Sequence, residues 1–312
     1  MQNLSANEHQ KGIYYAVAAF VMWGLVPVYF KAVDDVPAFE VLAHRVVWSV
    51  VFLGLFLLLK GKLNELTTLR NSPKILLSLG LSALVISINW LVFIWAVSEQ
   101  RIVETTLGYF INPLINIVFG FFIFSERLRF LQWIAVAIAT VAVLYQIILI
   151  GELPWVALTL ATSFSIYSVL RKKIPIDSIT GLLVETLWLF PMALVYMIWL
   201  SSQSNFVLLN GSTEIQVLLL AAGLVTSLPL IAFAAGARRL SLTMVGLLQY
   251  IGPSIAFLIA VFYYNEPMDQ NRLITFVMIW IALAIFSVEG VLVQRRKKQD
   301  ALTPKTAEST QG

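Results

Sequence analysis

The chain has 312 residues, of which 59% are hydrophobic and 12% charged, with a formal net charge of +4. A soluble domain carries about 25% charged residues, so this composition, with a mean hydropathy of +0.85, places the chain in the membrane class. The lack of cysteine excludes a disulfide framework and thiolate chemistry. The chain also has no phosphate-binding glycine loop, dinucleotide fingerprint or His-Glu-x-x-His pair, so no cofactor, metal or ATP-driven step is expected.

A bilayer crossing needs about 20 mostly apolar residues in a helix, and ten such stretches follow one another. The first, Ile13–Phe30, follows Lys11, contains Trp23, Gly24 and Pro27, and ends at Lys31. It is too long for a signal core and ends without a small-residue cleavage site, so it reads as a retained span. Spans two to five are Phe39–Leu59, Ile75–Val97, Val103–Phe124 and Phe130–Ile150. Spans six to ten are Leu153–Leu170, Ile179–Leu200, Ile215–Ala237, Leu242–Tyr264 and Leu273–Val293. The breaks between them carry turn chemistry or charge, as at Lys60-Gly61-Lys62, Ser125-Glu126-Arg127, Arg171-Lys172-Lys173, Asn210-Gly211-Ser212 and Asn265-Glu266-Pro267.

Basic residues in short loops orient a polytopic chain, the cytoplasmic side being the richer. With ten spans, one side receives Lys11, the cluster from Lys60 to Lys74, Arg127, Arg129, Arg171 to Lys173, Arg238, Arg239 and the residues from Arg295 onward. The other side receives only Lys31, Arg101 and Arg272. Both termini are therefore expected in the cytoplasm, and a different span count would scramble this sorting. The net positive charge belongs to span ends rather than to a nucleic-acid surface. Arg295 to Lys298 read as a topogenic anchor, and residues 295–312, rich in Lys, Thr, Ser and Gln, as a disordered cytoplasmic tail.

The second half repeats the first at a constant offset of 140 residues. Trp48 falls on Trp188, Pro113 on Pro253 and Glu126 on Glu266, and Ser87, Phe93, Leu107, Ile111 and Phe122 also find identical partners. Trp, Pro and Glu are scarce here, so their ungapped alignment carries the weight. The units are 12–150 and 151–294, with five spans each. An odd number of spans turns the second unit upside down relative to the first. The predicted fold is all-α and integral to the membrane, with ten transmembrane helices in two inverted five-helix repeats. Such repeats place a substrate site near the midplane, where the halves meet.

Ionisable residues inside spans are costly and draw functional attention. His44 and Arg45 lie in span two, and Glu185 lies in span seven at the position matching Arg45. Each of residues 45 and 185 is about four residues from its span centre, roughly 6–7 Å at 1.5 Å per residue. Inversion moves Arg45 toward the outside and Glu185 toward the cytoplasm, so a direct pair between them is not expected. They read as gating or coupling charges, one per half, or as charges paired locally, with Glu40 one turn from His44. His44 has a side chain suited to a proton-coupled step, or it hydrogen-bonds the backbone.

Span four reads Gly108-Tyr109-Phe110-Ile111-Asn112-Pro113 and span nine Leu248-Gln249-Tyr250-Ile251-Gly252-Pro253. A proline within a span frees a carbonyl one turn earlier and interrupts the helix. Paired Gly/Pro interruptions in corresponding spans point to a transport site. Tyr109, Asn112, Pro113, Gln249, Tyr250 and Pro253 are therefore candidate cavity residues, with Asn89 and Trp90 of span three and Trp23 of span one behind them. A packing kink is the competing reading. Glu126 and Glu266 end spans four and nine and are expected to order tight turns.

His44-Arg45 with Trp48-Ser49, the run Gly108 to Leu114 followed by Glu126, and Gln249 to Ser254 resemble the drug/metabolite transporter superfamily, specifically the RarD branch of its EamA family. The likeness runs from about Gly12 to Val293. Members of that branch are known as chloramphenicol-sensitivity proteins or predicted permeases. The resemblance implies a bacterial inner-membrane, multi-pass permease with a central cavity lined by spans one, three, four, six, eight and nine. In related small exporters a glutamate in the first span couples protons; span one here has no acidic residue, so that mechanism does not carry over.

The expected function is secondary transport of a small organic metabolite or drug, outward, by alternating access, with the lipid bilayer as the other partner. An uncoupled facilitator or importer of the same fold is the alternative. A membrane-embedded enzyme or lipid-handling scaffold is the alternative of another class, and it would need a cluster of acids, histidines or a nucleophile at one membrane face.

Overall fold

The structure, a computed structural model, describes residues 6–62, 64–99, 101–151, 154–202, 206–265 and 270–302. Every regular element among them is helical. The first half contains α1 (Ala6–Ala32), α2 (Ala38–Leu59), the short α3 (Asn64–Arg70), α4 (Pro73–Ser98), α5 (Ile102–Phe124) and α6 (Phe130–Ile150). The second contains α7 (Trp155–Lys173), α8 (Ser178–Ser201), the single turn α9 (Val207–Asn210), α10 (Thr213–Arg239), α11 (Leu242–Gln249), α12 (Ile251–Phe262) and α13 (Gln270–Leu302).

Nine stretches of these helices are long and apolar enough to cross a membrane, α11 and α12 together counting as one. The tenth crossing is α7. Its sequence is diluted by Thr159, Thr162, Ser163, Ser165 and Ser168 and closes on Arg171-Lys172-Lys173. It tolerates these because it packs on α4, α5 and α10, and Ser163, Ser165, Ser168 and Arg171 are buried by protein rather than lipid. The outward faces of the other spans carry large apolar side chains, such as Leu55, Leu77, Leu84, Ile148, Val195 and Val217. Small residues lie between the helices, where close backbone approach supplies the packing that lipid cannot. At Gly223 of α10 a Cβ would collide with the Trp48 backbone of α2, and at Gly80 of α4 one would stand 3.1 Å from the Trp188 ring of α8.

The packing pairs have a regular form. Span two lies on span seven, four on nine and five on ten. Span one lies on eight and nine, as span six lies on three and four; span two lies on eight, as seven lies on three. Exchanging each span of the first half with its counterpart in the second leaves this set unchanged.

Two expectations need correction. The chain does not leave regular structure at residue 295: α13 continues to Leu302, because Gln-Arg-Arg-Lys-Lys-Gln-Asp-Ala-Leu contains good helix formers and no Gly or Pro. Residues 303–312 lie outside the described residues, as does Glu266. Nor do the two matching prolines act alike. Span nine is broken at Tyr250, three residues before Pro253, whereas α5 runs unbroken through Pro113.

Candidate functional site

Arg45 projects from α2 toward α1, α4 and α10. Its Nε donates to Thr226 Oγ1 at 2.9 Å, and its guanidinium lies 4.9 Å from the Trp90 ring centre and 5.7 Å from that of Phe30. Tyr29 and Tyr109 stand within electrostatic range of it. Tyr109 sits deep in the bundle yet is 48% exposed, and Arg45 is half-buried. Both groups therefore border accessible space beside Trp90. None of the ion pairs among the described residues includes Arg45.

Glu185, the counterpart in α8, is held differently. Its Oε1 lies 3.4 Å from Nη1 of Arg171 at the end of α7, and its Oε2 accepts from the Tyr167 hydroxyl at 3.3 Å. Arg171 Nη2 donates to the Ser178 carbonyl at 3.2 Å. Both charges are sealed, at 1% and 2% exposure. Gly181 makes room for this pair, since a Cβ there would meet Arg171 Nη1. Arg171, expected in a basic loop, is therefore an interior residue. The clustering of three cations at a helix end concealed it; the glycine one turn before Glu185 was the available clue. Arg45 and Glu185 do not pair with each other.

His44 is fully buried. Its Nδ1 accepts from Trp48 Nε1 at 3.0 Å, and its ring stacks on Phe206 with centroids 6.0 Å apart. Nε2 is 3.8 Å from Glu40 Oε1, too long for a hydrogen bond. Glu40 Oε1 instead accepts the Val207 backbone N–H at 3.0 Å, fixing α9 to span two. His44 thus belongs to a packed seam and not to the opening around Arg45.

The polar groups beside the two prolines form one buried chain. Asn112 Nδ2 donates to the Ala161 carbonyl at 2.7 Å and Ser165 Oγ at 3.0 Å. Asn116 Nδ2 donates to Asn112 Oδ1 at 3.2 Å and to Gln249 Oε1 at 3.1 Å. The Tyr250 hydroxyl donates to the Phe110 carbonyl at 3.1 Å. Asn112, Gln249, Tyr250 and Pro113 are buried, and Pro253 is half-buried. In this conformation they join spans four, six and nine rather than face the opening, because each amide finds protein partners at the helix crossings. Asn89 donates to the Leu160 carbonyl and Ser163 Oγ, both at 2.9 Å. Trp23 packs in an aromatic cluster with Phe20, Phe164 and Phe233. Of the residues expected in a cavity, Trp90 and Tyr109 are thus brought to Arg45. Tyr29, Phe30 and Thr226 join them without having been expected; an aromatic or a threonine in an apolar span carries no distinctive sequence mark.

Glu126 also departs from expectation. It is 5% exposed, and its two oxygens accept the backbone N–H groups of Leu242 and Thr243 at 2.6 and 2.9 Å. A carboxylate there meets the unpaired donors and positive end of α11, so Glu126 ties the first half to span nine instead of ordering its own turn. The same face carries Glu8 with Arg239 and Arg129 with Glu289, and Lys172 Nζ donates to the Ala237 and Leu240 carbonyls. At its rim, the Thr180 hydroxyl and Lys62 hold the Glu65 carboxyl below the usual carboxylate range. The bundle is therefore well tied together at the face where α1 begins.

Two surface depressions lie elsewhere. One runs between spans three and six along Val85, Ile88, Leu158, Thr162 and Ile166 and is mainly apolar. The other lies on the face where α1 begins, beside Glu8, Asp177, Arg238 and Arg239. Neither contains an unpaired charge deep in the bundle, so the Arg45 cluster remains the stronger candidate site.

The fold defines a polytopic all-α membrane protein. The model of the EamA-like transporter family matches residues 10–148. Protein RarD of Escherichia coli K12 is 43% identical over 94% of this chain and 99% of its own length. An uncharacterized transporter of Vibrio cholerae is 44% identical over 90% of this chain and 93% of its own. The chloramphenicol-sensitive protein RarD of Pseudomonas aeruginosa is 31% identical over 92% and 97%. A solved crystal structure covers 88% of this chain and 96% of its own with a TM-score of 0.68 at 19% identity, a likeness of fold alone. This chain belongs to the EamA-like transporter family and, within it, to the RarD branch. It is accordingly a bacterial-type multi-pass membrane permease.

Proposed function

We propose that the chain is a secondary transporter of a small organic metabolite or drug that works by alternating access between two inverted five-span repeats, with both termini in the cytoplasm. The observation that carries this reading is the exchange-symmetric packing of spans around an opening that holds an unpaired cation. Further details support a two-fold relation. Tyr250 and Phe110 are counterparts under the 140-residue offset and touch each other, as residues astride a two-fold axis do. Ser125 and Asn265 are also counterparts, and both adopt a left-handed conformation with φ 53°. One packing pair lacks a comparable counterpart: span six lies on eight, but one does not lie on three to the same extent. That gap borders Phe30 and Trp90 and supports a state open on the face away from the termini. The outward direction of transport rests on the resemblance to exporters of the superfamily.

An uncoupled facilitator is the second reading, and a specific observation favours it. Of His44, Arg45 and Glu185, only Arg45 reaches the opening, and an arginine does not release its proton in a protein.

The test uses the cysteine-free chain. A Ser212→Cys variant should react with an impermeant thiol reagent applied from outside, and a Lys173→Cys variant should not; the reverse pattern would overturn the orientation. Purified protein in liposomes should show saturable solute flux, and a pH gradient should leave it unchanged if the facilitator reading is right. Flux that collapses without the gradient would favour proton coupling.

A further inference from the structure

We infer that Arg45 is a recognition site for an anionic group, and that the substrate is an organic carboxylate with an apolar body. This rests on the transporter reading, since it assigns the chemistry of that cavity's occupant. Among the described residues the guanidinium bonds through its Nε alone, to Thr226. Its Cζ lies 4.9 Å from the Trp90 ring centre and 5.7 Å from that of Phe30, and its Nη groups make no hydrogen bond or ion pair among the described residues. An arginine edge presents paired donors at the spacing of a carboxylate's two oxygens. The surrounding walls are Tyr29, Phe30, Trp90 and Tyr109, which suit an apolar or aromatic body.

A second, independent observation concerns charge. Under the 140-residue offset, Lys31 and Arg45 are the counterparts of Arg171 and Glu185. The second-half pair neutralises itself. The first-half pair is two cations: Lys31 lies 4.0 Å from the Tyr264 ring centre, and no carboxylate among the described residues pairs with Arg45. Glu40, the nearest acid in sequence on the same span, turns its Oε1 to the α9 backbone and makes no ion pair with Arg45. Arg45 therefore carries a positive charge with no paired counter-ion among the described residues. A concave site of one sign raises the local concentration of the opposite charge, and an unpaired cation at membrane depth is kept at a cost that a bound anion offsets.

The experiment compares matched ligands on the full-length protein in lipid nanodiscs. Benzoate and phenylacetate are set against benzamide and phenylacetamide, which have the same shape and no charge, and binding is read by titration and by the shift in melting temperature. The carboxylates should bind and raise the melting temperature, while the amides should bind about tenfold to a hundredfold more weakly, the range for losing hydrogen bonds to a charged group. Arg45→Gln should remove the carboxylate preference, and Arg45→Lys should restore part of it. Trp90→Leu, which leaves the charge in place, should weaken both ligand types. Equal binding of carboxylate and amide, a preference that survives in Arg45→Gln, or no carboxylate binding to the wild-type protein would each overturn the assignment. Saturable flux of a neutral solute without carboxylate preference would overturn this site and leave the transporter standing. Carboxylate binding lost in Arg45→Gln, with no saturable flux of any solute, would leave the site standing and overturn the transporter.

Discussion

Positions 45 and 185 stand 140 residues apart in the sequence, on helices that pack against each other, and the fold treats them in opposite ways. Glu185 is sealed against Arg171 and Tyr167 with almost no exposure. Arg45 is half open, held by one hydroxyl and two aromatic faces. The difference extends outward from these residues. Around Glu185 the face where α1 begins is fastened by Glu126 on the start of α11 and by Lys172 on the end of α10. The residue at the 140-residue offset from Arg171 is Lys31, which lies over the Tyr264 ring and makes no ion pair with Arg45. The bundle thus carries a self-neutralised pair at Glu185 and, among the described residues, an unpaired charge at Arg45. Charge identity at two positions distinguishes a closed contact from one that waits for a partner.

The largest expected effect breaks the self-neutralised pair. Glu185→Gln leaves Arg171 buried without its counter-charge, and removing one partner of a buried pair costs about 3–5 kcal/mol. The variant should melt well below the wild type in detergent, and Arg171→Gln should do the same. The double substitution should recover part of the loss, because it removes the orphaned charge. Exchanging Arg45 and Glu185 should not rescue function, since Arg at 185 would face Arg171. A Glu185→Gln protein with wild-type melting would show that the pair contributes nothing, and the contrast between the two halves would collapse.

Much of the helical fold could be read from the sequence, because hydropathy acts through each span alone. The ten crossings and the constant 140-residue offset needed no knowledge of neighbours. What escaped depends on partners distant in the chain. Glu126 looked like a turn residue because its actual partners, Leu242 and Thr243, lie more than a hundred residues away. Arg171 looked like a topogenic cation because Lys172 and Lys173 follow it. Asn112 and Gln249 were recognisable as polar groups in apolar spans, but whether such a group faces a cavity or a helix crossing is a property of packing. Even the prolines divided, with span four absorbing Pro113 while span nine breaks at Tyr250.

A smaller effect sharpens the comparison at the seam between the halves. Asn112 links span four to span six and, through Asn116, to Gln249 of span nine. Asn112→Ala leaves the Asn116 amide and the Ala161 carbonyl short of a partner, at about 1–3 kcal/mol for unsatisfied buried groups. The expected outcome is a lower melting temperature, milder than for Glu185→Gln. Unchanged melting together with lost flux would instead place Asn112 at the solute in another state of the cycle.

The smallest stability effect is expected at Arg45 itself, and its smallness is the informative result. Arg45→Gln gives up the bond to Thr226 and the contact with Trp90, which at such sites contribute about 0.5–2 kcal/mol each. It also relieves the cost of keeping a cation at membrane depth, about 2.5–3.5 kcal/mol on insertion scales. The two terms are of similar size and opposite sign, so the ligand-free variant should melt within about 1 kcal/mol of wild type. Glutamine at position 185 and glutamine at position 45 would then differ by several kcal/mol in the same assay, although the two residues match at the 140-residue offset. Equal destabilisation at both would mean that Arg45 has a fixed partner of its own, and the picture of one occupied and one vacant charge would fail.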